Sequence, residues 1–500
     1  MISEARIYQA YYTKSTPIVE YMVNQLSLND SDRIFEPCGG DGVFVEAILS
    51  QNILAQIDVC ELSHKSVEIL NRKFSDYPNV AIRQCDTLLD MELSFNSSFG
   101  GIYDKIIANP PYGAWQDYAK RAILKKLYPN LYAKESYILF LYRCIELLKE
   151  DGILSFIIPD TFLNLHVHKA LRQHILTKTQ ILELALFPSN FFPNVNFGYA
   201  NLSIITLKKK NDAKVCRDNY FKVFNHFADI EQLNGKNDLS YKLLAQKDIS
   251  KNADYAFFIA DDIQVLKIIN ETKLRIGDIA YCVTGFYSGN DKLFLQVISS
   301  DLKNGKNYDL IDNNTINTNY NNDPNILNGI DGSKHFIPIV KGGNIKYLKP
   351  ETWFMNWSKE AVRHYKNDQK ARFQNPTYYF KFGIGVPMIS SSSITASLIE
   401  NKLFDQSIVG IFPKDEALTY YLLAFFNSPT CNLLIRTINP SANNPANYIK
   451  KIPFILPDKK TMNRITIKTK EIVCQVRETG QYDETEEREI HTLIKELYGF

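Results

Sequence analysis

The stretch Ile106-Ile107-Ala108-Asn109-Pro110-Pro111-Tyr112-Gly113 holds the residue types best suited to chemistry in this chain. The apolar run Ile106 to Ala108 predicts a buried strand. Two consecutive prolines cannot continue a strand ladder, and each fixes its own φ, so the strand should end in a stiff turn. Such a turn can present two hydrogen-bond acceptors, the Asn109 amide oxygen and the Pro110 carbonyl, beside the Tyr112 ring. Two acceptors aimed at one amine would hold it in place, and the ring would stack on a flat heterocycle. A proline-rich loop that merely ends a strand has the same local signature. The residues ahead of it separate the two readings.

Phe35-Glu36-Pro37-Cys38-Gly39-Gly40-Asp41-Gly42 stands where one predicted strand feeds a helix. Glycines there let a ligand approach the backbone, and the helix start offers free N–H groups. Glu61 ends the second predicted strand, 19 positions after Gly42 (61 minus 42), where a carboxylate can bind ribose hydroxyls. Asp86 ends the third predicted strand and is placed to accept from the exocyclic amine of an adenine ring. Taken singly, each acid reads as a solvated strand end. In order, they outline a site for an adenosine-bearing cofactor at the topological switch point of a sheet. No GxxxxGK[ST] loop occurs, and Glu36 and Asp41 put negative charge beside the glycine turn, which disfavours phosphate. An adenosine compound with a cationic sulfonium, S-adenosylmethionine, fits this charge pattern.

These residues need a scaffold, and residues 32 to about 208 supply its pattern. DRIFEPC, AQIDVCEL, VAIRQCD, YDKIIANP and GILSFIIP read as strands, with further strands near 180–187 and 201–208. GVFVEAILSQ, HKSVEILNRKF, 133–150 (broken at Asp151-Gly152) and 166–177 read as helices. This alternation predicts an α/β domain, an open and mainly parallel sheet of the Rossmann-like doubly wound kind. The rhythm stops after Lys208-Lys209-Lys210, so the expected division is a catalytic domain over 1–240 and a second, α+β domain over 241–500. In the latter, 303–334 reads as a long exposed loop rich in Asn, Asp and Gly. LTYYLLAFFNS and the terminal EREIHTLIKELYGF read as helices.

With 500 residues, 45% hydrophobic and 22% charged, the chain is long enough for two sizeable cores. The net charge of +2 neither points to a nucleic-acid partner nor excludes one, since a basic face can hide within a balanced total. Eight cysteines (38, 60, 85, 144, 216, 282, 431, 474) form no CxxC pair, which points to buried thiols in a reducing cytoplasm, with neither disulfides nor zinc expected. The first 30 residues lack a signal-like apolar core, and no apolar run approaches a membrane span.

With these motifs the N-terminal half resembles the class I S-adenosylmethionine-dependent DNA adenine-N6 methyltransferases of the TaqI type, with the gamma motif order and an NPPY motif. The resemblance implies S-adenosylmethionine as cofactor, held by Thr16 ahead of the first strand, Glu36, Pro37 and Gly40 in the glycine turn, Glu61, Asp86, Asn109, and Phe140 near the methionine part. It implies catalysis by Asn109, Pro110 and Tyr112, with the target base flipped out of the duplex and stacked between Tyr112 and Phe192. Phe187-Pro188 competes with Phe192-Pro193 for the second stacking position. IIPDTFLNL (157–165) resembles the segment that follows the Phe140 helix. Methyl transfer would be direct, without a covalent intermediate and with no metal.

The C-terminal half resembles the target-recognition domain of the same enzymes more loosely, through VTGFYSGNDK, IPIVKGGNIKYLKP and NYIKKIPFILP. Its candidate DNA contacts are Lys341, Asn344, Lys346 and Lys349 near Trp353 and Trp357, then Arg372 with Tyr378 and Tyr379, then Lys450 and Lys451. A solvated basic face over buried aromatics is the competing reading of these residues. The resemblance implies double-stranded DNA as partner, a role in a restriction–modification system of a bacterial or archaeal cytoplasm, and leaves a separate restriction endonuclease open. Two alternatives share the tetrapeptide or the fold: a protein glutamine-N5 methyltransferase and a non-catalytic DNA-recognition subunit. About 245 residues follow the catalytic part and about 30 precede it. That order favours DNA over a protein substrate.

Overall fold

The computed structural model describes residues 15–112, 118–187, 201–225, 227, 229–233, 239–260, 262–390, 393–439 and 442–500. The chain divides into two compact units, Met1–Phe257 and Phe258–Phe500. The boundary falls later than residue 240 because the strand Lys242–Ala245 pairs into the first unit's sheet.

Among the described residues that sheet has nine strands: β1 (Arg33–Glu36), β2 (Gln56–Glu61), β3 (Val80–Gln84), β4 (Tyr103–Ala108), β5 (Leu148–Pro159), β6 (Thr179–Phe187), β7 (Leu202–Lys209), β8 (Tyr220–Phe224) and β9 (Lys242–Ala245). Their spatial order is β3-β2-β1-β4-β5-β7-β6-β8-β9. β1 pairs in parallel with both β2 and β4, so the order reverses at this strand. The doubly wound expectation holds over β1 to β5, all parallel. β7 departs from it, running antiparallel between β5 and β6. The interior strands are near-continuous apolar runs, as sheets covered on both faces require.

Helices α1 (Thr16–Asn24), α2 (Val43–Leu49), α3 (His64–Lys73), α4 (Met91–Ser98), α5 (Tyr118–Leu127), α6 (Ser136–Leu147) and α7 (Lys169–Lys178) accompany this sheet. Ser63 and Asp90 cap α3 and α4 by accepting N–H bonds from the first turn. Asp151-Gly152 does not break the chain as expected. Asp151 adopts φ 67° within β5, and the β4–β5 register shifts between Tyr103 and Lys105, so the pair forms an irregularity inside a long strand. Cysteine also departs from expectation: Cys60 on β2 and Cys85 beyond β3 form a disulfide, their Cα atoms 5.7 Å apart. Only the pairing of neighbouring strands brings them together.

Among the described residues, the second unit contains two sheets. One has the order β10 (Ala280–Thr284), β18 (Ile408–Pro413), β15 (Phe382–Pro387), β16 (Ser397–Glu400). The other runs β12 (Asp309–Leu310), β11 (Leu295–Val297), β14 (Trp353–Asn356), β13 (Phe336–Val340), β17 (Leu403–Phe404). Phe286, Trp357, Tyr365 and Phe404 lie at the centre of its aromatic core. The 303–334 stretch is irregular but is no free loop, since Tyr320, Ile326 and Ile330 enter that core. The helices of this unit include α8 (Thr419–Asn427), α9 (Pro429–Ile438), α10 (Lys459–Thr479) and α11 (Glu484–Leu497). Among the described residues, no helix is long and apolar enough to cross a membrane.

Candidate active site at the carboxyl ends of the strands

The glycine turn leaves β1 and enters α2. Gly42 is the residue before α2 and has φ 79°, a left-handed conformation that favours glycine. A Cβ there would also meet the Phe74 ring at 2.6 Å, so packing and backbone both demand the missing side chain. Gly40 shares the left-handed backbone at φ 55°. Its N–H donates to Glu61 Oε2 at 2.9 Å, while Ser63 N donates to Oε1 at 2.8 Å. Glu61 thus braces the turn from the end of β2.

Negative charge crowds this turn. Glu36 is buried, 3% exposed, with Oε2 shielded and without a hydrogen-bond partner. Burial raises its carboxyl well above the usual range, and neighbouring Asp41 and Glu61 push the same way against a smaller opposing effect of Lys73. Lys73 itself donates to the Asp41 carbonyl at 2.7 Å and pairs with Glu46 at 2.9 Å. An unpartnered carboxyl in this cluster favours a cationic group over phosphate.

Asp86 lies just beyond β3. Its Oδ1 accepts from Leu88 N at 3.1 Å, and its Oδ2 accepts from Lys120 Nζ at 2.5 Å. The buried hydroxyl of Thr87 donates to the Pro37 carbonyl at 2.5 Å, tying this segment to the glycine turn.

Asn109 follows β4 directly, beside the strand where the sheet order reverses. It is half-buried, and its Oδ1 is shielded from solvent. Pro110 is buried and Pro111 half-buried. The Cys38 thiol reaches the Asn109 carbonyl at 3.5 Å. Burial, with Glu36 and Glu61 nearby, holds that thiol well above its usual pKa, so it stays a donor. The turn after β1 and the turn after β4 are therefore directly linked. Tyr112 is 6% exposed, donates to the Ile157 carbonyl at 3.3 Å, and packs edge-on against Tyr137 with ring centroids 6.4 Å apart.

The remaining expected residues are spread more widely. Phe140 is buried on α6. Thr16 opens α1 with Pro17 in its first turn, and it is exposed. Phe192 and Pro193 lie outside the described residues. Phe187 ends β6 at 2% exposure, with the Phe227 ring edge-on at 6.4 Å. Lys120 and Thr87 do not stand out in the sequence. Thr87, next to Asp86, could have been read as a hydroxyl at a strand end. Lys120 sits in an ordinary basic helix and gave no signal.

In the second unit most of the candidate DNA contacts serve the fold. Lys341 pairs with Asp291 at 2.9 Å and Asp405 at 3.1 Å. Lys346 pairs with Glu487 at 2.8 Å, and Lys349 donates to the Lys341 carbonyl at 2.8 Å. Trp357 is fully buried and donates to the Ile326 carbonyl, and Tyr379 is 4% exposed. Asn344, Arg372 and Lys450 remain exposed.

With this arrangement in view, comparison with known proteins bears on the N-terminal unit. Residues 48–192 match the Eco57I restriction-modification methylase family. The matched segment is similar to methylases of that kind. It contains Glu61, Asp86, the Asn109–Tyr112 tetrapeptide and Phe140, and the glycine turn lies just ahead of it. The chain is 29% identical over 210 residues to the Type II methyltransferase M.AccI of Acinetobacter calcoaceticus, covering 41% of this chain and 37% of that protein. It is 29% identical over 282 residues to the modification methylase CviBIII of Paramecium bursaria Chlorella virus NC1A, covering 55% and 69%. Against the adenine-specific methyltransferase BrxX of Escherichia coli O9:H4 (strain HS) it is 23% identical over 71% of this chain and 28% of the relative. The matches thus span little more than a third of M.AccI and less of BrxX. Among solved structures, the nuclease-deletion mutant of the Type ISP restriction-modification enzyme LlaGI, solved with a DNA substrate mimic, superposes with a TM-score of 0.57 at 12% identity, over 93% of this chain and 54% of that one. DrdV, solved as a DNA complex, gives 0.55 at 14% identity over 94% and 57%. At these identities the likeness is one of fold, and it extends beyond the methylase segment.

Proposed function

We propose that this protein transfers the methyl group of S-adenosylmethionine to the N6 amine of an adenine flipped out of double-stranded DNA, as the modification enzyme of a restriction–modification system. The observation that carries the reading is the stiff Asn109–Tyr112 turn at the reversal point of the sheet, linked through Cys38 to an acidic glycine turn. The named relatives, adenine-specific methyltransferases and modification methylases, support it. Neither alternative, a glutamine-N5 methyltransferase or a non-catalytic recognition subunit, gains an observation of its own.

The cofactor would be held by Glu36, Pro37 and Gly40 of the glycine turn, by Glu61 and Asp86 at the next two strand ends, and by Thr16, Asn109 and Phe140. S-adenosylmethionine supplies an electrophilic methyl group, and its positive charge suits the Glu36–Asp41–Glu61 cluster. The chain's own task is to make a poor nucleophile reactive. The adenine amine has its lone pair delocalised into the ring. Acceptance of its two N–H bonds by Asn109 Oδ1 and the Pro110 carbonyl would orient it and favour the pyramidal form. The prolines hold these acceptors in place before the base arrives, which is positioning catalysis. Tyr112 would stack on the base, its ring fixed by the Ile157 bond. Phe187 already packs in the core, which supports Phe192 as the second stacking ring. The base must leave the duplex to reach such a pocket. Target recognition falls to residues 258–500, and a separate endonuclease cutting the unmethylated site would complete the system.

Wild type and Asn109→Ala expressed in a methylation-free bacterium test the reading by sequencing of host DNA. N6-methyladenine in one recurrent context for wild type, and none for the variant, is expected. Modified cytosine, or modification indifferent to the substitution, would overturn it.

A further inference from the structure

Helix α5 begins six positions after Tyr112 and carries a basic, exposed surface. Tyr118 is 88% exposed, Leu127 is 55% exposed, and Lys125 and Lys126 face solvent. Its other side is fastened to one short segment at two points. Lys120 Nζ donates to Asp86 Oδ2 at 2.5 Å, and Tyr128, just past the helix, donates to the Leu88 carbonyl at 2.8 Å. Leu124, between them, is fully buried. The segment so held, Asp86 to Leu88, is the one assigned above to the adenine ring of the cofactor. Thr87 ties it in turn to the glycine turn.

The two donors on Asp86 do not exhaust it. A carboxylate has about four acceptor positions, and here Leu88 N takes one on Oδ1 and Lys120 one on Oδ2. Room remains for an exocyclic amine. A neutral amine cannot displace an ammonium from a carboxylate, because the charge-assisted bond is roughly twice as strong. Lys120 therefore stays in place when adenosine binds and fixes the direction in which Asp86 accepts. The same lysine is part of a stiff helix whose exposed lysines suit phosphate.

We propose that Lys120 is a positioning residue that couples the DNA face of the enzyme to its cofactor site. It aims Asp86 at the cofactor's adenine amine and ties that aim to the seating of α5 on DNA. This rests on the functional reading given above. Binding coupling is reciprocal, so each ligand tightens the other through the link.

The experiment measures S-adenosylhomocysteine affinity by calorimetry, with and without a short duplex carrying the context that wild type methylates. Wild type is expected to bind roughly fivefold or more tightly with DNA present. Lys120→Met is expected to bring that ratio to about one and to weaken binding without DNA by roughly fivefold, the scale of a half-buried ion pair. Lys120→Arg should keep most of the ratio. Lys120→Gln, which retains a neutral donor, guards against a folding defect and should also lower it. A wild-type ratio in Lys120→Met and Lys120→Gln, or wild type indifferent to DNA, would overturn the proposal while the functional reading stands. Wild type that binds no S-adenosylhomocysteine would overturn both.

Discussion

Around the glycine turn, Glu36, Asp41 and Glu61 crowd together, and Glu36 lies buried with an oxygen that no donor meets. In the second unit the buried charge around Lys341 is balanced. Lys341 meets two carboxylates, and although burial pulls its pKa down, Asp405 and Asp291 outweigh that and hold it above its usual value. Lys346 meets Glu487 in the same way. The difference separates a candidate site from a scaffold. Charge that a protein leaves uncompensated in a buried place is costly unless a ligand of opposite sign completes it. The charge on Lys341 already has its carboxylate partners and needs no ligand to complete it.

The largest effects should come from breaking each side of this contrast. Asn109→Ala is expected to lower methyl transfer from a labelled donor by about 10²- to 10³-fold, the cost of one preorganised bond to a reacting group, while calorimetric binding of S-adenosylhomocysteine survives. Lys341→Ala strands two carboxylates in the second unit and should cost about 3–5 kcal/mol in denaturant unfolding. If it left stability intact and weakened only DNA binding, the assignment of that cluster to the scaffold would fail. Tyr112→Ala should lose about 1–3 kcal/mol of stacking, whereas Tyr112→Phe keeps the ring and gives up the hydroxyl's bond to Ile157, about 1 kcal/mol. Steady-state kinetics on the two variants would separate ring from hydroxyl.

A subtler effect concerns Lys349, whose pKa burial lowers to about 8 from 10.5. Below pH 8 both folded and unfolded chains carry this charge, and the folded one bears its desolvation penalty. Between 8 and 10.5 the folded chain sheds the proton first, so the penalty is relieved as pH rises. Lys349→Met should therefore raise the melting temperature at pH 7, with the gain shrinking above pH 8, and should leave the salt dependence of DNA binding unchanged. By contrast, Lys450→Ala and Arg372→Ala, at exposed positions, should each reduce the slope of log affinity against log salt by about one. A slope unchanged in both would remove them from the interface.

The N-terminal half was legible because its candidate site residues follow strand ends, and strand ends are marked by the change from apolar runs to glycine, proline and acids. Glu61, Asp86 and Asn109 stand where that change put them. What could not be read depends on register and on distant pairs. Cys60 and Cys85 are 25 positions apart and meet only because β2 and β3 are neighbours. Lys346 finds Glu487 across 141 positions, so its basic context in the chain is no guide to its surroundings. The antiparallel β7 was hidden for a related reason: apolar runs mark a buried strand without giving its direction. Tyr320, Ile326 and Ile330 were hidden in a polar stretch, where single apolar residues turn inward from turns that have no period.

β4 is laddered on both sides, to β1 and to β5, and its six residues are almost wholly shielded from water. Its amides should be among the last in the molecule to take up deuterium, opening only when the whole unit comes apart. Asn109 hangs from the end of that strand. The amide that would grip the base is thus fixed to a strand expected to open late, and small thermal excursions elsewhere need not disturb its aim.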